Sequence, residues 1–170
     1  MNIMDFAKEL NEQIFLYNID VPILDGFDLI KYEGSIFTAK SKNNFIEQFL
    51  SDGKLKENET FEDHLNKTIE DTVTAMKKAN LKDPDNNIIP LYDYKNDYFN
   101  YKVFLQDNII DNKLTRQLNA YFLDPNTNAF YEIILSTCPY QSETFKQNNE
   151  AITNNLKETL NSILDLVKTK

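Results

Sequence analysis

Arg116-Gln117-Leu118-Asn119-Ala120-Tyr121-Phe122-Leu123 runs into Asp124-Pro125-Asn126-Thr127-Asn128 and then into Ala129-Phe130-Tyr131-Glu132-Ile133-Ile134-Leu135-Ser136-Thr137. In the first run Leu118, Ala120 and Phe122 recur at period two, the spacing that sets alternate side chains on one face of a strand. The separator is built from Asp, Pro and Asn, which favour turn geometry. Residues 116–123 and 129–137 are therefore expected to form an antiparallel hairpin, and the sheet around them to be mainly antiparallel.

Upstream of the hairpin the same alternation recurs. Phe99, Tyr101, Val103 and Leu105 alternate with Asn100, Lys102 and Phe104, and Ile88–Tyr94 reads as a further short strand. A middle helix is expected over about 61–79. Thr60 stands three residues before Asp63 in a capping arrangement, and Phe61, Leu65, Ile69, Thr72 and Met76 give it one apolar stripe. Asp83-Pro84 cannot continue it. Between Leu29 and Leu50 short apolar runs are broken at Glu33-Gly34 and at Ser41–Asn44. They read as strands, with 45–50 open between a strand and one helical turn, and Ser51-Asp52-Gly53 as a turn.

The two ends complete the pattern. Ile3, Phe6, Ala7, Leu10 and Ile14 share one helical stripe over residues 3–16. Tyr17–Leu24, with Pro22 inside it, reads as an edge or irregular strand followed by a turn at Asp25-Gly26. Downstream, Pro139 ends the hairpin's second strand. Phe145, Ile152, Leu156, Leu160, Ile163 and Val167 then mark a closing helix over about 145–167. The expectation is a single α+β domain over residues 1–170, an α/β/α sandwich with residues 1–16 as an N-terminal helical extension.

Composition excludes several function classes. The chain has 170 residues, 41% hydrophobic and 26% charged, enough to bury a real core. A formal net charge of −9 opposes binding to nucleic acid, which relies on clustered cations. No run reaches the ~20 apolar residues of a membrane span, and the start lacks a signal-peptide pattern, so a cytoplasmic protein is expected. With three glycines there is no phosphate-cradling loop. One Cys and one His leave little for disulfides, metal centres or triads.

The chemistry-bearing residues read mostly as structural. His64 sits on the middle helix and is expected on its flank. Cys138, before Pro139, lacks the nearby helix N-terminus that would activate a thiol. Asp83-Pro84-Asp85-Asn86-Asn87 begins like a calcium loop, but Ile88 stands where glycine is needed and Tyr94 where the bidentate Glu is needed. Asp124, Asn126 and Asn128 suit the hairpin turn. Glu57, Glu59, Glu62, Asp63, Glu70 and Asp71 make the middle-helix region acidic, which suits the helix dipole and would also suit a basic partner.

One run stands apart, Tyr92-Asp93-Tyr94-Lys95-Asn96-Asp97-Tyr98-Phe99-Asn100-Tyr101. Tyrosine offers a large rigid surface with a polar tip and is enriched at protein interfaces. Tyr92, Asp93, Tyr94, Asp97, Tyr98 and Tyr101 are the residues assigned to partner contact. The opposing reading is that these rings simply pack on the sheet and its loop.

The order of elements carries a resemblance. It comprises Tyr17–Phe27 with Val21-Pro22, a helix opened by Glu59-Thr60-Phe61-Glu62, the turn Asp124-Pro125-Asn126-Thr127, the return strand Phe130–Ser136, and a helix closing near Leu160-Asn161-Ser162-Ile163. This succession, over roughly residues 17–167, resembles the PsbP/DcrB-like (Mog-like) group of α/β/α sandwiches. The helix before Tyr17 and the missing export signal depart from many members. The resemblance implies a binding or chaperoning role rather than an enzyme, as in Eag-type chaperones that hold hydrophobic segments of secreted clients.

The expected function is thus a non-catalytic cytoplasmic protein-binding module: an adaptor, a secretion-associated chaperone or an immunity-type protein. Its partner is a protein, basic or carrying an exposed hydrophobic segment, and a homodimer stays open as an arrangement. The alternative is a small-molecule binder with an aromatic-lined pocket between sheet and helix. No catalytic set, cofactor or metal is assigned.

Overall fold

In the computed structural model the described residues are 19–21, 27–33, 36–41, 45–79, 87–110, 113–137 and 140–169. The expected helix over 3–16, the turn at Asp25-Gly26, Asp83-Pro84-Asp85-Asn86 and Cys138 lie outside them.

The quoted hairpin forms as expected, from β7 (Lys113–Asp124) and β8 (Ala129–Thr137), paired from Gln117↔Ser136 to Asp124↔Ala129. Its turn is organised by the buried Asp124. One carboxylate oxygen accepts the Asn126 N–H at 2.9 Å and the other accepts the Thr127 hydroxyl at 3.0 Å. Asn128 takes the left-handed backbone (φ 59°) that closes the turn, a conformation Asn tolerates better than most residues.

The remaining strands are β1 (Ile19–Asp20), β2 (Phe27–Glu33), β3 (Ile36–Ser41), β4 (Phe45–Lys54), β5 (Ile88–Lys95), β6 (Asn100–Ile110), β9 (Tyr140–Gln141) and β10 (Lys168–Thr169). The main sheet runs β2-β3-β4-β8-β7-β6-β5, with β9 against β7, and every pair is antiparallel. Residues 45–50 belong to a strand. The expected turn at Ser51-Asp52-Gly53 is instead a bulge inside β4, because Ser51 pairs with Tyr131 and Lys54 with Ala129. Gly53, at φ +88°, supplies the backbone conformation that the extra residue requires.

Among the described residues two helices cover the sheet. Helix α1 (Phe61–Lys78) starts at a full capping box: Thr60 Oγ1 accepts the Asp63 N–H at 3.1 Å, and Asp63 Oδ2 accepts the Thr60 N–H at 3.3 Å. Helix α2 (Ser142–Leu164) is longer, with one non-helical residue at Asn148. It stops before Val167, which the spacing had placed within it. The chain turns at Asp165-Leu166, Val167 still reaches the core, and β10 pairs with β1 in a separate two-stranded ribbon. The apolar period fits either course because a single turn returns Val167 to the same side.

Strand alternation sends side chains to two cores. Phe49, Tyr101, Val103, Leu118, Ala120, Phe122, Tyr131, Ile133 and Leu135 pack with Leu156, Leu160, Ile163 and Leu164 of α2 and with Ile19, Val21 and Val167. On the opposite face Tyr121 and Phe130 pack with Leu65 of α1, bordered by Leu55, Phe61, Ile69 and Phe104. The expected α+β sandwich, a mainly antiparallel sheet between helices, is the observed architecture.

Candidate interaction cleft at the end of the sheet

The Tyr-rich run forms the β5–β6 hairpin, and Asn96 in its turn fixes both the turn and its neighbour. The Asn96 side-chain oxygen accepts the backbone N–H groups of Tyr98 and Phe99, each at 2.8 Å. Its amide nitrogen donates to the carbonyls of Leu164 at 2.7 Å and Val167 at 2.6 Å. One side chain thus supplies partners that the C-terminus of α2 lacks within the helix.

Three of the six assigned residues serve the same junction. The Tyr92 hydroxyl donates to Asn161 Oδ1 at 2.7 Å, and the Tyr94 hydroxyl to Asp165 Oδ1 at 2.5 Å. Tyr101 is 1% exposed and stands tilted against Phe122, with centroids 4.9 Å apart. Burial raises the Tyr92 and Tyr101 phenols above their ordinary range. The hydrogen bond to Asp165 raises that of Tyr94. All three act as neutral donors and apolar rings. The Lys157 ammonium stands 5.2 Å from the centre of the Tyr92 ring.

The other three face outward. Asp93 pairs with Lys102 across the strands at 3.1 Å, while Asp97 and Tyr98 are exposed at the hairpin tip, Tyr98 by 50%. Beside them opens a cleft of about 760 Å³. Tyr94, Tyr98, Phe99 and Tyr101 line it from the hairpin, Phe61 and Glu62 from the start of α1, and Leu123 and Pro125 from the β7–β8 turn. Lys95, Asn100, Lys102 and Asp93 complete its wall. A second depression of about 460 Å³ shares Glu62, Asp93 and Lys102 with it and continues along β5 past Pro90 and Tyr92.

The sequence run thus contains one wall of the cleft and misses the other. Phe61, Glu62, Leu123 and Pro125 are brought in by topology. Lys54 at the end of β4 pairs with Ala129 at the start of β8, so the chain leaves for α1 at the end of the sheet where the β7–β8 turn sits. The regular up-and-down order of strands was the signal that could have placed them together.

His64 lies on the flank of α1 as expected, its ring 4.3 Å from that of Phe130 and its Nδ1 3.2 Å from Glu59 Oε1. The Lys56 N–H donated to Glu59 is the main reason that carboxyl falls below its ordinary range, with the bond to His64 adding to it. Among the described residues no cluster of three or more His, Cys, Asp or Glu is set to hold a metal ion. No helix of the described residues is long and apolar enough to cross a membrane.

No family model and no curated protein matches the chain. Among solved structures it is similar to the crystal structure of LpqN, involved in cell envelope biogenesis of Mycobacterium tuberculosis. The identity is 13% over 89% of this chain and 83% of that one, with a TM-score of 0.47. A likeness of that degree carries no argument about activity.

Proposed function

We propose that the protein is a non-catalytic protein-binding module, of adaptor, secretion-chaperone or immunity type, working in the cytoplasm. An apolar side chain of a partner segment enters the cleft between the β5–β6 hairpin and the start of α1. The observation that carries this reading is Tyr98. It is half exposed at the mouth of an aromatic-lined cleft, on a turn that Asn96 holds rigid through four hydrogen bonds. A large side chain presented on a fixed backbone makes contact at little entropic cost. Glu62 lines the cleft, Asp63, Glu70 and Asp71 are exposed on the same helix, and together with the net charge of −9 they favour a basic partner. The resemblance of element order to the PsbP/DcrB-like group points to the same kind of role.

The test is affinity capture from native extract with the wild type and Tyr98→Ala in parallel. Recovery of one stoichiometric partner by the wild type, its loss in the variant and an unchanged melting temperature support the reading. A partner retained by the variant would count against this surface. Tyr92 and Tyr94 are poor probes because their hydroxyls hold α2.

A second reading rests on the cleft volume, which falls within the roughly 300–1,000 Å³ of small-molecule pockets. Native mass spectrometry of protein purified from its source would then show one bound small molecule that Tyr98→Ala releases.

A further inference from the structure

Glu47 lies near the start of β4, opposite Leu135 of β8 and Ala39 of β3 in the sheet register. Period two places it on the same face as Phe45 and Phe49, the face that carries the larger core. It is 1% exposed, and neither carboxyl oxygen has a hydrogen-bond partner among the described residues. The buried polar side chains of Asp124 and Asn119 in the same sheet, by contrast, are held by hydrogen bonds.

We propose that Glu47 is kept in the fold as a neutral acid and makes the β4–β8 seam a proton-controlled latch, which loosens when the carboxyl loses its proton. An ionised carboxylate in this position would have no counter-charge or donor among the described residues, an arrangement far costlier than the protonated acid. No described group facing it is titratable. Phe45 and Phe49 flank it on β4, and Ile133, Leu135 and Thr137 face it from β8. Ala39, its register partner on β3, is uncharged. Helix α2, which covers this face, contributes Ile152, Leu156 and Leu160. Its Glu150 and Glu158 are exposed and its Lys157 stands over Tyr92. The ionic pair on the same face lies beyond β8: Arg116 on β7 holds Asp107 on β6 through two 2.7 Å bonds.

Burial alone lifts the Glu47 carboxyl from 4.5 to about 8. The sign follows from which state holds the proton. Below 4.5 both the closed and the opened seam are protonated, and the stabilisation is complete. As pH rises from there through about 8, the closed seam retains a proton that the opened one releases, so the stabilisation is progressively lost. Each pH unit in that window favours opening by roughly tenfold. Neutral pH falls inside it.

Hydrogen exchange of the full chain from pH about 5 to about 9, corrected for intrinsic exchange, tests the latch in the wild type, Glu47→Gln and Glu47→Leu. Wild-type amides of β4 and β8 should lose protection by up to roughly tenfold per pH unit relative to both variants, whose profiles stay flat. The Leu variant guards against a misfolded Gln variant, since an apolar side chain suits the site. Parallel profiles in wild type and variants would overturn the proposal. So would a loss spread evenly over β5, β6 and β7.

Discussion

Helices α1 and α2 cover opposite faces of one sheet by different means. Helix α2 buries Leu156, Leu160, Ile163 and Leu164 completely. It is also tied at its end by Asn96, Tyr92 and Tyr94 and on its flank by Arg116, which donates to Asn149 and to Thr153 at 2.8 Å. Helix α1 buries only Leu65 and Met76, each still 3% exposed. Beyond its coverage, the same face of the sheet is filled by an amide ladder. Gln106 donates to Asn108, Asn108 to Gln117, and Gln117 back to Gln106 and on to Asn119. One helix is therefore part of the core and the other a cover. The cleft lies where the cover begins, a place where side chains can rearrange without unlocking the fold.

This contrast can be broken by experiment. Leu160→Ala should lower unfolding stability by about 3–5 kcal/mol, whereas Leu65→Ala should cost about 2 kcal/mol because a loosely seated helix can settle into the gap. Equal losses in urea titrations would erase the distinction. Asn96→Ala comes next, at about 2 kcal/mol, since it strips partners from two carbonyls and two turn amides. Its effect should appear as faster amide exchange at the end of α2, not in α1. Thr60→Ala should be smallest, about 1 kcal/mol. It should loosen the first turn of α1 and with it the Phe61 wall of the cleft, so partner affinity should fall even where the melting temperature barely moves.

Much of this plan is written in local patterns. Period two in Phe99–Leu105 and Leu118–Phe122, the turn residues Asp124–Asn128 and the cap at Thr60 each act over a few residues, and each produced the expected element. What escaped depends on distant chain. Asn96 reads as a loop residue, yet its partners are Leu164 and Val167. Half of the Tyr run reads as an interface but turns inward because α2 returns to meet it. Gly53 marks a break in either a turn or a strand, and only the pairing of Lys54 with Ala129 decides for the bulge. In Phe45-Ile46-Glu47-Gln48-Phe49-Leu50 the apolar pairs fall at helical spacing. The strand period that buries Glu47 was therefore masked by the residues around it.

The ribbon of β1 and β10 has a mechanical consequence. Ile19 pairs with Thr169 and Asp20 with Lys168, so the first and last described strands of the chain meet in one antiparallel ladder. Tension applied at Ile19 and Thr169 would load that pair first and peel the ribbon one pair at a time, rather than shearing both together. Behind it stand Val21 and Val167, both buried in the larger core. Ile19 is itself buried in that core, so resistance would begin with the first pair and rise again where those two valines must follow.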